Sequence, residues 1–302
     1  MSNKLSVALA LKFDALLLEG LHWDNQRGVL WGVDIHGALL WCWDLKSPSC
    51  QSWSMPQRIC WVIPEAGSSR LLMGLQSGFA VADRANPTQI QWLQQPFNGN
   101  SALRLNDAKA DATGAIWAGS LNNDDESRSD GCLFRLDTSG QLSVVDKGYT
   151  VANGPAISAD GKLMLHTDSG RRTIYVFDLD VAAGILGNKR VWKVFADDEG
   201  YPDGMCFDAA GCVWVAHWGA GCISCFAPDG SLLRRLNLPV TQVTNICFAG
   251  PGLDRMFVSS ARVGLSADAL ARQPLAGGLF EVLAPGAVGL PSLACGPFVK
   301  QG

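Results

Sequence analysis

The chain has 302 residues, of which 48% are hydrophobic and 17% are charged, and its formal net charge is −4. This balance argues against nucleic acid or an anionic membrane as a partner, because neither would meet a basic surface, although a local positive site is still possible. No run reaches the ~18 apolar residues that a membrane-spanning helix needs. The length allows one large core or two ordinary domains.

The first predicted strand lies near the N terminus. Residues 1–20 contain an apolar stretch that resembles the start of a signal peptide, but Lys12 and Asp14 interrupt it and no cleavage site of small residues follows. We therefore interpret this segment as a strand rather than as a targeting sequence.

A two-strand unit then recurs along the chain. Each copy begins at a turn residue, continues as an apolar run, breaks at small polar residues and resumes as a second apolar run that commonly ends in Asp. Six copies are visible, at residues 28–44, 70–83, 114–137, 161–178, 211–226 and 254–282. Their period of roughly 40–50 residues is that of a four-stranded propeller blade.

The sequence therefore predicts an all-β fold, a six-bladed β-propeller with four-stranded blades that forms a single domain over residues 1–302. We expect the N-terminal strand to pair into the last blade, so that the ring closes without an open edge. Residues 266–272 are the exception, because they favour one or two helical turns. A pair of β-sandwiches is the alternative, but it does not explain six evenly spaced copies. A closed propeller is also expected to be a monomer.

The ten cysteines are interpreted as buried, reduced thiols, which indicates the cytoplasm. Most of them lie inside apolar, strand-like runs. Cys222 and Cys225 have the spacing of metal ligands, but no second Cys or His pair completes the set, and on a strand they would point to opposite faces. The ten are Cys42, Cys50, Cys60, Cys132, Cys206, Cys212, Cys222, Cys225, Cys247 and Cys295.

Polar residues stand where strands of separate repeats begin. Glu19, Asn153 and Asp203 are each followed by Gly and then by an apolar strand, and Arg104 and Asn106 have a similar place in another repeat. A propeller brings the same end of every innermost strand to one central mouth, so we expect these side chains to converge. Asn-Gly and Asp-Gly are also common turn signals, so either dipeptide taken alone favours a turn.

Two carboxylates and an amide are oxygen ligands that suit one divalent cation. Ca²⁺, Mg²⁺ and Mn²⁺ prefer such donors, and Fe²⁺ also accepts them, whereas a structural zinc site would need thiolates that these motifs do not offer. Zn²⁺ bound by oxygen ligands stays among the candidate cofactors. The four histidines, His22, His36, His166 and His217, are scattered and are expected to serve packing rather than ligation.

Four motifs resemble those of the gluconolactonase, senescence-marker-protein and luciferin-regenerating-enzyme family of six-bladed propellers. They are Glu19-Gly-x-x-Trp23, Arg104-x-Asn106-Asp107, the segment 153–161 and the segment 201–214, and they follow in the family's order over nearly the whole chain. The C-terminal stretch is more similar to the bacterial sugar-lactonase branch than to the animal calcium-handling branch.

This resemblance implies a role for each motif residue. Glu19, Asn153 and Asp203 would be the protein ligands of a single divalent cation, and Arg104 and Asn106 would hold the substrate. A further acidic residue of the family falls near Asp124, but the surrounding sequence departs from the usual pattern. Asp124 is therefore kept as a candidate substrate contact.

The leading functional hypothesis is hydrolysis of a sugar lactone to the open sugar acid, with the lactone as the small-molecule partner. Asp203 is the expected general base, Arg104 is expected to carry developing negative charge, and Trp218 is expected to form an apolar wall for the sugar. A propeller esterase or organophosphate hydrolase is the rival enzyme. A non-catalytic metal-binding or interaction propeller is the rival without an activity.

Overall fold

The computed structural model describes residues 6–283 and 285–298, and these are almost entirely β-structure. Twenty-four strands form six antiparallel sheets of four strands each, which confirms the predicted six-bladed propeller. Each sheet is one blade. In blades 1 to 5 its four strands are consecutive in sequence.

The strands of each blade are given from the innermost to the outermost. Blade 1 contains β2 Leu18–Asp24, β3 Val29–Asp34, β4 Leu39–Asp44 and β5 Gln51–Ser54, and blade 2 contains β6 Ile59–Pro64, β7 Arg70–Leu75, β8 Gly78–Asp83 and β9 Gln91–Gln94. Blade 3 contains β10 Leu103–Ala110, β11 Ile116–Asn122, β12 Gly131–Leu136 and β13 Leu142–Tyr149, and blade 4 contains β14 Ala152–Ile157, β15 Leu163–Asp168, β16 Thr173–Asp180 and β17 Ile185–Val194. Blade 5 contains β18 Tyr201–Phe207, β19 Val213–Trp218, β20 Cys222–Phe226 and β21 Leu232–Asn237, and blade 6 contains β22 Val243–Ala249, β23 Arg255–Ser260, β24 Leu279–Leu283 and β1 Ser6–Leu11.

The N-terminal strand closes the ring, as predicted. β1 pairs antiparallel with β24, from Ser6 opposite Leu283 to Leu11 opposite Leu279, and is the outermost strand of blade 6. The first and last parts of the chain therefore share one sheet. This pairing covers an edge that would otherwise be open.

Helical structure is confined to two short segments in the described part of the chain. A 3₁₀ helix spans Asp197–Glu199, and α1 spans Ala267–Arg272, where the sequence predicts helical turns. The hydroxyl of Ser266 caps α1 by accepting a hydrogen bond from the backbone N–H of Ala269 at 3.2 Å. Neither segment is long or apolar enough to span a membrane.

Buried tryptophans fill much of the space within and between the blades. Trp117 and Trp214 each donate their indole N–H to an aspartate that precedes the strand, Asp111 at 2.8 Å and Asp208 at 2.9 Å. Each aspartate also accepts backbone N–H groups from the turn that joins the first two strands of its blade. Each Asp–Trp pair therefore fixes the turn between these two strands. The pairs Asp111–Trp117 and Asp208–Trp214 are called clasps below.

Every innermost strand contains a β-bulge near its start, and the sequence repeat did not reveal it. In each blade the innermost strand has one residue more than its neighbour between two consecutive paired positions. Such a bulge bends the strand and redirects its side chains. The extra residue falls between Glu19 and His22, Ile59 and Trp61, Leu105 and Ala108, Asn153 and Ala156, Pro202 and Met205, and Val243 and Ile246.

The segment 285–298, called the tail below, crosses the face of the ring opposite the bulges. It bonds first to the inter-strand turns of blades 5 and 6, through Ala209 and Leu253, and later to those of blades 2 and 3, through Ala66 and Gly114. Blades 5 and 2 lie opposite each other in a ring of six, so the tail runs across its diameter. The Oγ of Ser292 lies 3.9 Å from the Sγ of Cys247, on the innermost strand of blade 6.

Candidate active site and cation cup

A cavity of about 500 Å³ lies at the end of the ring where the innermost strands begin. The sequence-predicted residues Glu19, Arg104, Asn106, Asn153, Asp203 and Trp218 all line it. Its other lining residues include His36, Glu126, Ser169 and Tyr201. The side chains that the sequence places in different repeats therefore share one cavity.

The bulges explain why polar side chains reach this cavity. Glu19 is the second residue of β2, Asn153 the second of β14 and Asp203 the third of β18, so all three lie at the bulged start of an innermost strand. A bulge bends the strand and changes the direction in which its side chains point. At Asp203 the following Gly204 is required for close packing, because a Cβ at that position would lie 2.8 Å from the carbonyl of Thr244.

A chain of hydrogen bonds connects the polar residues of blades 3, 4 and 5. Arg104 Nη1 donates to Asn106 Oδ1 at 2.6 Å, and Asn106 Nδ2 donates to Asn153 Oδ1 at 2.7 Å. Asn153 Nδ2 then donates to the hydroxyl of Ser169 at 2.9 Å, and this hydroxyl donates to the carbonyl of Pro202 at 2.6 Å. Both amides are thereby oriented. Asn153 Oδ1 keeps a second lone pair for another partner.

Three buried carboxylates, Glu19, Asp107 and Asp203, lie close enough to influence one another. Burial, followed by the charge of Asp107, raises the pKa of Glu19 to about 7. Burial and then the charge of Glu19 raise the pKa of Asp203 well above its ordinary value, and burial also raises that of Asp107. In the metal-free site these carboxyl groups therefore hold protons more tightly than exposed ones do, and a cation would compete with those protons.

Asn245 on β22 supports this cluster from blade 6. Its Nδ2 donates to Glu19 Oε2 at 2.9 Å and lies 3.5 Å from Asp107 Oδ2. Asn245 is fully buried, yet its Oδ1 has no hydrogen-bond partner in the described residues. A cluster of buried carboxyl groups beside an unused oxygen acceptor is an environment that a hard cation satisfies. The group formed by Glu19, Asn153 and Asp203, called the cation cup below, therefore fits such an ion.

Arg104 lies beside the cation cup and is held in a fixed orientation. Its Nε donates to Asn123 Oδ1 at 3.0 Å and its Nη1 donates to the carbonyl of Leu105 at 3.1 Å, besides the bond to Asn106. The side chain is buried, and within the described part of the chain no carboxylate forms an ion pair with it. A buried, unpaired guanidinium favours oxygen-rich or anionic groups that enter the cavity.

Asp124 lies on a loop, where strand periodicity does not predict which side chains face the cavity. Asp124 is exposed on the loop between β11 and β12, and it is not among the residues that line the cavity. Glu126, two residues later, does line it. The contact of Asp124 with a substrate stays a prediction. Glu126 had no signal in the sequence beyond its place in the same acidic loop.

Among the histidines, His36 lines the cavity, which the sequence did not indicate. Burial and then the charge of Arg104 lower its pKa to about 4, so it is neutral at pH 7. His166 packs edge-on against Tyr149, and His217 packs against Phe195 and bonds through Nδ1 to the carbonyl of Glu199 at 2.8 Å. Neither of these two lines the cavity, which agrees with the predicted packing role.

A second group of potential ligands lies away from the cavity. One side-chain atom each of Asp208, Cys212 and Cys225 falls within 4.8 Å of the others. However, both oxygens of Asp208 already accept hydrogen bonds, from the N–H groups of Ala210 and Cys212 and from the indole of Trp214. We therefore assign Asp208 to the clasp that fixes its turn.

Comparison with known proteins gives a consistent set of relatives. A family model described as "SMP-30/Gluconolactonase/LRE-like region" matches residues 17–262. The L-arabinolactonase of Azospirillum brasilense is 33% identical over 264 residues, which cover 87% of this chain and 86% of that protein. The 6-deoxy-6-sulfogluconolactonase of Pseudomonas putida is 31% identical over 260 residues, covering 85% and 88%. A solved luciferin-regenerating enzyme superposes with a TM-score of 0.91 at 27% identity, covering 97% of this chain and all of that one.

Proposed function

Because the chain belongs to the SMP-30/gluconolactonase/LRE-like family, we propose that it hydrolyses a sugar lactone to the corresponding sugar acid. The observation that carries this proposal is the cavity in which two buried carboxylates, an oriented amide and an unpaired guanidinium meet. Two of its relatives are named for lactone hydrolysis, an L-arabinolactonase and a 6-deoxy-6-sulfogluconolactonase. The substrate class is therefore an aldono- or aldarolactone with a five- or six-carbon sugar.

The cation cup is assigned to one divalent cation. Glu19 and Asp203 would supply carboxylate oxygens and Asn153 its Oδ1, a set that suits Ca²⁺, Mg²⁺ or Mn²⁺ and also accepts Fe²⁺ or Zn²⁺. Such an ion supplies Lewis-acid polarisation of the lactone carbonyl. The hydrogen bond from Asn106 to Asn153 fixes which amide atom faces the cup.

Asp203 is assigned the proton transfers. Hydrolysis requires that a water lose a proton as its oxygen attacks the lactone carbonyl carbon, and that the ring oxygen gain a proton as the carbon–oxygen bond breaks. In the metal-free protein, burial and the charge of Glu19 raise the pKa of Asp203; a bound cation would oppose this rise and keep the carboxylate ionised, so that it can accept the proton. The same carboxylate can return the proton to the leaving ring oxygen, so no other acid is needed.

Arg104 and Asn106 are assigned to the substrate. Three hydrogen bonds hold the guanidinium at the edge of the cavity, so little reorganisation is needed when negative charge develops on the carbonyl oxygen. Trp218 and Tyr201 add aromatic surface to the same cavity, which suits the C–H face of a sugar ring. His36 adds a neutral hydrogen-bonding group.

A panel of aldonolactones tests this proposal. The protein is stripped of metal with a chelator, resupplied with one cation at a time, and assayed with a pH indicator that follows acid release. We expect hydrolysis of at least one pentono- or hexonolactone, lost on chelation and regained with a divalent cation. Full turnover in the stripped protein would refute the metal assignment.

The same panel separates the rival functions. Aryl esters and phosphotriesters are included as substrates of a general esterase or an organophosphate hydrolase. Faster turnover of these than of every lactone would favour that rival. Cation binding without hydrolysis of any compound would favour a non-catalytic propeller.

A further inference from the structure

Lys109 lies inside the ring, next to the carboxylate cluster. Its Nζ is 3.9 Å from Asp107 Oδ1, and a quarter of its side-chain surface is exposed, compared with 3% for Asp107. Asp107 also accepts the backbone N–H of Ala108 at 2.7 Å, so the carboxylate is held in place.

The charge of Lys109 acts on residues of three other blades. Burial lowers the pKa of His22 on blade 1 to about 3, and Lys109 adds to this shift. Burial raises the pKa values of Cys206 on blade 5 and Cys247 on blade 6, and in both cases Lys109 opposes the shift. Only the axis of the ring is close to the innermost strands of blades 1, 3, 5 and 6 together.

Asn245 connects this axial ion pair with the cation cup. Its Nδ2 donates to Glu19 Oε2 at 2.9 Å and lies 3.5 Å from Asp107 Oδ2. Asp107 itself does not line the cavity, whereas Glu19 does. The order from the mouth inward is therefore the cup, then Asn245 and Asp107, then Lys109. Farther from the mouth, the tail approaches Cys247 through Ser292.

We propose that Lys109 is a built-in counter-ion of the cation cup, which cancels the charge of Asp107 and so sets a preference for divalent over trivalent cations. The inference rests on the proposed cation site and extends it to a residue outside the cavity. With Lys109 in place, the negative charge that faces the ion is that of Glu19 and Asp203. Without Lys109, the charge of the ionised Asp107 is added to theirs.

The direction of the effect follows from Coulomb's law. The energy between an ion and a fixed charge is proportional to the charge of the ion, so removing a lysine favours a trivalent ion half as much again as a divalent one. Lys109→Met should therefore tighten both kinds of ion, the trivalent ion more strongly. Asp107→Asn should do the opposite, since it removes a negative charge and leaves Lys109 unopposed.

The experiment compares Tb³⁺ with Ca²⁺ on the full-length, metal-free protein at constant pH and ionic strength. Tb³⁺ binding is followed by emission sensitised through Trp218, which lines the cavity, and Ca²⁺ is titrated as a competitor. For Lys109→Met we expect the ratio of Tb³⁺ to Ca²⁺ affinity to rise by about tenfold. The double variant Asp107→Asn, Lys109→Met should return to within about threefold of the wild-type ratio, because its charge is that of the wild type.

Controls separate this effect from loss of folding and from net charge. Lys46→Met removes an equal charge from an exposed turn of blade 1 and should leave the ratio unchanged. Lys109→Arg should keep the wild-type ratio. If Lys109→Met does not fold, the lower ratio expected for Asp107→Asn still tests the proposal.

The two proposals fail in different ways. A wild-type protein that binds no divalent cation refutes the cation cup and, with it, the role of Lys109. A wild-type protein that binds Ca²⁺ while Lys109→Met leaves the ratio within about twofold overturns the counter-ion alone.

Discussion

The innermost strands of blades 2 and 5 have the same backbone feature and different side chains. Blade 5 bulges between Pro202 and Met205 and presents Asp203 to the cavity, whereas blade 2 bulges between Ile59 and Trp61 at Cys60. Cys60 is buried and is not among the residues lining the cavity. The bulge therefore belongs to the fold as a whole. The chemistry depends on which residue stands at it, and blade 2 leaves that position apolar.

The largest effect should come from Asp203, the polar residue at the bulge of blade 5. Asp203→Ala removes the proposed base and one cation ligand, so we expect turnover of the best lactone to fall by about 10⁴-fold or more, with weaker cation binding. Steady-state kinetics and calorimetric titration of the same preparation measure both. The matched control is Ile59→Val at the bulge of blade 2, which should change turnover by no more than about threefold, because Ile59 is buried, does not line the cavity and keeps its apolar character. Equal losses in the two variants would contradict the distinction between the blades.

A smaller effect is expected at Arg104, which lies on the innermost strand of blade 3 and lines the cavity. Arg104→Ala removes an oriented positive group but no cation ligand, so turnover should fall by about 10²- to 10³-fold while cation affinity stays nearly unchanged. Arg104→Lys keeps the charge and loses the planar donor set, so it should recover only part of the rate. If Arg104→Ala abolishes cation binding, the assignment of roles between blades 3 and 5 is wrong.

The smallest effect concerns protons at the blade 1 bulge. Burial and Asp107 raise the pKa of Glu19 to about 7 in the metal-free protein, so below that pH the carboxyl holds a proton that a cation must displace. Apparent Ca²⁺ affinity should therefore rise with pH through this range, by up to about tenfold per pH unit for each proton displaced, from Glu19 and from Asp203, whose pKa is also raised. Calorimetry in buffers of different ionisation enthalpy counts the protons released. A constant affinity from pH 5.5 to 8 would show that Glu19 is already ionised.

The sequence was sufficient for the blades and for the main polar residues of the cavity. Apolar runs bounded by turn residues recur in all six blades, and Glu19, Asn153 and Asp203 stand out because a polar residue and a Gly precede an apolar strand. These signals depend only on residues that are neighbours in sequence, so they can be read without a structure. The closure of the ring by β1 also followed from a simple physical need, since an unpaired edge is unfavourable.

Asn245 and Lys109 could not be found in this way. Asn245 follows Thr244 with no Gly after it, so blade 6 lacks the pattern that marks the three cup residues. Lys109 lies on the same strand as Arg104, Asn106 and Asp107, but its role depends on three other blades that are distant in sequence. Glu126 lies on a loop whose course no strand period fixes. Long-range packing, rather than local preference, determines all three.

The tail crosses the face of the ring opposite the cavity and, in addition to the pairing of β1 with β24, links distant blades. Residues 285–298 run from the turns of blades 5 and 6 to those of blades 2 and 3. They therefore cross the central axis at the face opposite the cavity, on the far side of Lys109 from the cation cup. We expect a lactone and its acid to share the opening on the cavity side, so that departure of the product precedes arrival of the next molecule.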